Sequence, residues 1–85
     1  MEGEHYCRQR ELFHCFYITK DNVAGFVDKY GCDAEHTITI TEDFAYVKYQ
    51  HMTWHIRLNA FMVCEYDGWS SYTEKDFREA YDLIS

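Results

Sequence analysis

The chain has 85 residues, 47% of them apolar, and a formal net charge of −7. That length supports one domain. The negative balance speaks against generic binding to nucleic acid or to an anionic membrane surface, both of which need basic patches. Proline is absent and only four glycines occur, so no linker, low-complexity segment or second domain stands out.

In chain order, Met1–Arg10 is polar and is expected to fray at its start. Glu2 and Glu4 carry the wrong charge for an export signal. No apolar run is long enough to span a bilayer, so a soluble, cytoplasmic protein is expected. Glu11–Thr19 reads as the first strand. Leu12, His14, Phe16 and Ile18 fall on one face, with Phe13, Cys15 and Tyr17 on the other. Both faces are largely apolar, which predicts an interior strand covered on both sides. A helix follows, capped by Thr19 or Asp21, with Val23, Phe26, Val27 and Tyr30 at helical spacing and Gly31 as its stop. Cys32–Glu35 reads as loop.

The clearest signal is His36–Tyr66. Thr37–Thr41 alternates with period two, Glu42-Asp43 interrupts, and Phe44–Tyr49 resumes as the second arm of a hairpin. In His51–Leu58, Met52, Trp54, Ile56 and Leu58 fall on one face, and His51, Thr53, His55 and Arg57 on the other. Asn59-Ala60 reads as a turn and Phe61–Tyr66 as a fourth strand ended by Asp67-Gly68. Short links between successive strands predict an antiparallel meander. Trp69–Tyr72 reads as a short extended piece. Thr73 then caps a closing helix with Asp76 near the capping-box position and Phe77, Ala80, Tyr81 and Ile84 as its apolar stripe. The order β-α-β-β-β-β-α predicts an α+β domain, with two helices packed on an antiparallel sheet of about five strands.

No catalytic or cofactor motif is present. His51 and His55 share a strand face, but four residues of strand span about 13 Å, too far for one metal ion. His5, Cys7, His14 and Cys15 match no zinc-finger or ribbon spacing. Cys7, Cys15, Cys32 and Cys64 are expected to be reduced, free of metal and of the character of small apolar residues. Neither a metal nor another cofactor is expected. A nucleotide-like anion would have to be held by Arg8, Arg10 or Arg57, since there is no Gly-rich phosphate loop.

Acidic residues crowd the end of the chain. Glu65, Asp67, Glu74, Asp76, Glu79 and Asp82 are opposed there only by Lys75 and Arg78. Capping and solvation explain such a run. It also forms a candidate face for a basic partner, with Asp67, Glu74, Asp76, Glu79 and Asp82 supplying charge and Trp69 the apolar anchor.

Arg8–Thr19 with its short helix ending in Tyr30-Gly31, the Ile38-Thr39-Ile40-Thr41 hairpin arm, and the closing Tyr72, Phe77 and Tyr81 together resemble a group of small phage and prophage proteins of uncharacterised function. The resemblance spans Arg8–Ile84. It departs from that pattern where Glu11-Leu12 stands for a proline and His14-Cys15-Phe16 for Glu-Ala-Phe. It implies the fold and a phage-related origin, hence a location inside a bacterial host cell, and carries over no catalytic residues. The function expected on this basis is stoichiometric binding of a host protein with a basic surface, such as a defence or nucleic-acid-handling enzyme. Neither an enzyme nor a protein contacting nucleic acid or membrane directly is expected. The alternative is a small-molecule, nucleotide-like binding protein.

Overall fold

Period-two segments become strands and the two helical stripes become helices, giving an α+β fold. The computed structural model describes residues 3–31 and 35–84. In chain order the elements are β1 (Gly3–Arg8), β2 (Leu12–Ile18), α1 (Val23–Phe26), β3 (Thr37–Ile40), β4 (Phe44–Tyr49), β5 (Met52–Arg57), β6 (Ala60–Glu65), β7 (Gly68–Tyr72), α2 (Glu74–Ala80) and β8 (Asp82–Leu83). A π-helical turn over Val27–Gly31 prolongs α1. The loop expected around Cys32, and the first two residues of the polar N-terminal segment, lie outside the described residues.

The strands form two antiparallel sheets where one of about five strands was expected. A five-stranded sheet runs β7-β6-β2-β1-β8 and a three-stranded sheet runs β3-β4-β5. The expected meander breaks between β5 and β6. Leu58 N–H donates to Asp43 C=O at 2.8 Å, ending the smaller sheet, and Asn59 N–H donates to Ile18 C=O at 2.7 Å, the first bond to the larger one. Asn59 turns the chain there at φ +55°, in the left-handed region that asparagine tolerates better than most residues. The cause is β6 itself. Ala60, Phe61, Met62 and Val63 are all buried, so the strand needs cover on both faces. Beside β2 it has that cover, and at the rim of the meander it would not.

Three ends of the chain differ from expectation for local reasons. Gly3–Arg8, expected only to be polar, is a strand that pairs along its length with β2, from Gly3↔Tyr17 to Arg8↔Leu12. Asn22, rather than Thr19 or Asp21, stands at the N-cap of α1. Its side chain bridges the turn, accepting from Thr19 N–H at 2.8 Å and donating to Tyr17 C=O at 3.0 Å. Thr73 does cap α2, with Oγ1 accepting from Asp76 N–H at 3.2 Å. That helix stops at Ala80, however. Tyr81 is extended and leads into β8, whose Leu83 pairs with Cys7, and Ile84 is left exposed.

The larger sheet is covered on both faces. On one, Phe16, Ile18 and Met62 pack with Val23, Phe26 and Val27 of the first helical segment and with Ala45, Val47, Ile56 and Leu58 from the smaller sheet. On the other, Cys7, Cys15, Phe61 and Val63 meet Phe77 and Tyr81. Phe77 lies flat on Phe61, ring centroids 3.8 Å apart and planes 12° from parallel. It is the one fully buried residue of α2. Phe77→Ala is expected to cost about 3–5 kcal/mol, a large share of the roughly 5–15 kcal/mol typical of domains. Urea unfolding measures it, and a midpoint close to that of the unaltered protein would mean that α2 contributes little to the core.

Candidate ligand-binding cleft

The smaller sheet and the π-helical turn do not close completely over the larger sheet. Between them lies a cleft of about 370 Å³, lined by Tyr30, Gly31, Tyr49, Met52, Thr53, Trp54 and Trp69. That volume lies within the range of small-ligand sites. Both tryptophans of the chain line it.

Each wall has a local origin. Trp69 enters from β7, which alternates so that Trp69 and Tyr72 join opposite cores. Its ring lies 5.1 Å from Tyr30, 5.0 Å from Phe26 and 5.8 Å from His14. Trp54 comes from β5, on the face that also buries Ile56 and Leu58. Tyr49 and Met52 flank the two-residue turn between β4 and β5, where Gln50 adopts φ +52°. Gly31 lets the backbone lie against Trp54. A Cβ there would stand 2.6 Å from Trp54 Cζ3. Gly31, expected as the stop of the helix, is the last residue of the π-helical turn; its φ is not positive, and close approach to Trp54 is what requires glycine there.

Tyr30 is held by a polar cluster at the rim. Its hydroxyl donates to Glu4 Oε1 at 3.0 Å, and Lys29 Nζ donates to the same oxygen at 2.7 Å. His14 Nε2 lies 3.3 Å from the other oxygen. Hydrogen bonds from Lys29 and Tyr30 hold the Glu4 carboxyl below the usual range. Aromatic faces, a thioether and a few hydroxyls line the cleft. Among its lining residues there is no carboxylate, imidazole or thiol to act as base or nucleophile.

The residues expected to form an acidic site are only partly brought together. Glu74, Asp76 and Glu79 lie on α2, Asp82 follows on β8, and Asp67 sits in the turn between β6 and β7. Glu74 is paired with Arg78 at 3.1 Å. Trp69 does not join them. It packs into the core on the opposite face of the larger sheet from α2, so it cannot anchor a partner there. The aromatic on the acidic side is Tyr66, exposed and edge-on to Phe13 at 5.8 Å. His51 and His55 are both exposed. Among the described residues no three His, Cys, Asp or Glu side chains gather as a metal group, and no helix is long and apolar enough to cross a membrane. Cys7 and Cys15 are free and buried, and burial pushes both thiols up, so they serve as small apolar side chains.

A second polar cluster ties α2 to the sheet. Glu65 Oε2 accepts from the hydroxyls of both Tyr72 and Tyr81. Burial opposes the charge on Glu65, but hydrogen bonds from Ser70, Tyr72 and Tyr81 outweigh it and keep the carboxyl below its ordinary value. Both tyrosines are pushed up, Tyr72 chiefly by its bond to Glu65 and Tyr81 chiefly by burial, so they remain donors. The arrangement is a clamp with no group poised to take a proton.

Sequence reading singled out Trp69 but not Tyr30, Tyr49, Met52 and Trp54 as its companions. The available signal was Trp54 beside Met52, a bulky pair at the end of a half-buried strand. Comparison with protein-family models, with curated proteins and with solved structures finds no match to this chain.

Two measurements test these assignments. The depressed Glu65 carboxyl contributes stability that is present above an unfolded pKa of about 4.3 and lost as pH falls through the folded value. The melting-temperature gap between the unaltered protein and Glu65→Gln is therefore expected to narrow as pH falls below about 4. A gap constant with pH would rule out the clamp's dependence on a charged Glu65. Gly31→Ala must displace the Trp54 ring and is expected to cost about 1–3 kcal/mol with a shift in tryptophan emission. Unchanged emission and stability would mean that the ring is not held against Gly31.

Proposed function

We propose that this chain is a binding protein that acts without turnover, gripping a cationic side chain of a basic protein partner in the aromatic cleft. The observation that supports this reading is the convergence of Trp54, Trp69, Tyr30 and Tyr49 around one opening in a chain of net charge −7. Tryptophan and tyrosine faces attract Lys or Arg electrostatically, most strongly where water is excluded, and the same residues dominate protein-binding hot spots. Glu4 fixes the Tyr30 ring of the wall through its hydroxyl, its own charge being taken up by Lys29. The acids of α2 lie on the far side and contribute to encounter rather than to contact. In keeping with the resemblance to small phage proteins, the partner in this reading is a host defence or nucleic-acid-handling enzyme, blocked stoichiometrically in the bacterial cytoplasm.

The second reading is a planar, nucleotide-like ligand stacked in the cleft. The aromatic walls favour it, but the lining holds no cation, and nearby Lys29 is already bonded to Glu4. A phosphate would be left without a partner.

Because both tryptophans line the cleft, intrinsic emission reports on it directly. An arginine-rich peptide is expected to change that emission saturably, and Trp69→Ala to weaken its binding by roughly tenfold or more. Glu79→Lys with Asp82→Lys is expected to slow association while leaving dissociation and melting temperature nearly unchanged. Emission that responds to nucleosides but not to basic peptides would select the second reading. Emission that responds to neither would remove the cleft as the site.

A further inference from the structure

The outer face of the three-stranded sheet has a charge unlike that of the chain as a whole. Ala45, Val47, Ile56 and Leu58 face the core, so strand alternation points Phe44, Tyr46, Lys48, His55 and Arg57 outward. The register sets them in rows. Phe44 lies opposite Arg57, Tyr46 stands between Thr39 and His55, and Lys48 lies opposite Thr53. Lys48, His55 and Arg57 are exposed, and Phe44 and Tyr46 half-exposed. Phe44 and Tyr46 are stacked with centroids 6.1 Å apart. Arg57 covers the Phe44 ring at 4.8 Å, and His55 meets Tyr46 edge-on at 4.9 Å. Among the described residues, β3, β4 and β5 carry no acidic side chain. The acids that flank them in sequence are Glu35, exposed two residues before Thr37, and Glu42 and Asp43, in the turn that precedes Phe44. The acids of α2 lie across the larger sheet, on its opposite side.

We infer that this face binds single-stranded nucleic acid. Two adjacent aromatic rings on a sheet give successive bases a surface to stack on, and stacking works with any base. Lys48 and Arg57, both exposed beside the ring pair, supply cations for the phosphates of such a strand once Arg57 swings off the Phe44 ring, and the threonine hydroxyls between them can bond to sugar or phosphate. Generic attraction from a chain of charge −7 is weak, so the interaction depends on this local arrangement. An acidic peptide would use Lys48 and Arg57 but would leave the ring pair without a role. The face and the cleft share Thr53, but Phe44, Tyr46, Lys48, His55 and Arg57 do not line the cleft, so the inference stands apart from the reading of the cleft.

The test is fluorescence anisotropy of short labelled oligo-uridylate and oligo-thymidylate, at low salt and neutral pH, with the full chain. Saturable binding is expected for one or both. Tyr46→Ala is expected to weaken it roughly tenfold. Lys48→Gln is expected to weaken it too, lowering the salt slope by about 0.7. Lys48 is exposed, so this second variant remains informative if Tyr46→Ala perturbs folding. A preference for RNA would add contacts to the 2′-hydroxyl, and equal binding would place recognition in bases and phosphates; both support the inference. Absence of binding to either strand would overturn it. So would binding that is insensitive to both variants, binding that depends on Trp69, or displacement of no oligonucleotide but capture of an acidic peptide.

Discussion

The fold depends on two neighbouring strands that are apolar on both sides. β2 and β6 pair from Cys15↔Val63 to Ile18↔Ala60, and the eight residues in that register are buried save for half-buried Tyr17. Strands of this kind are stable only between two layers. One layer is α2 with Tyr81, clamped by Glu65. The other is built from α1 and the smaller sheet. The crossing at Asn59 is the step that lets β6 leave the meander for the centre of the larger sheet. The rest of the architecture follows from where that turn sends the chain.

The two layers do not fit their sheet equally well. Phe77 of α2 seats flat on Phe61, and Tyr81 and Tyr72 close around it. On the other face a four-residue helix and three strands must cover five strands. Bulky rings fill the difference. Phe26 is fully buried at their centre, whereas Tyr30, Trp54 and Trp69 pack against it with one side still open. The cleft is thus a consequence of layer mismatch, lined by the residues whose size spans it. Tyrosine and tryptophan suit that position because each carries a polar atom that can stay wet while its ring is buried.

Much of this was legible in the sequence wherever a single periodicity decides. The partition of β5, the two-sided character of β2, the Thr73 cap and the Phe77 anchor are all properties of local pattern. The Asn59 crossing was not, because an antiparallel meander and a change of sheet both begin with a short turn. Only the four consecutive buried residues of β6 distinguish them, and an apolar run has no preferred face to read. Gly3–Arg8 was missed for a related reason. Its alternation shows only Cys7 as a buried apolar residue, and its strand state comes from pairing with β2. The cleft unites residues from positions 30 to 69, and no one-dimensional pattern brings Tyr30, Tyr49, Trp54 and Trp69 together. The acidic cluster was visible as composition, but its separation from Trp69 turns on one parity in β7: Trp69 and Tyr72 are three residues apart and so face opposite ways.

That parity also explains why the chain's net charge is a poor guide to its surfaces. Glu74, Asp76 and Glu79 lie on the helix that covers one face of the larger sheet. Lys48, His55 and Arg57 lie on the outside of the sheet that covers the other. The two groups are therefore held apart by the full layered thickness of the molecule. At physiological ionic strength charges screen one another beyond about 8 Å. The potential at the outer sheet face is therefore set mainly by Lys48 and Arg57, and that at α2 mainly by its acids. A sum of −7 describes neither surface. Between them lies the cleft, whose lining residues carry no formal charge.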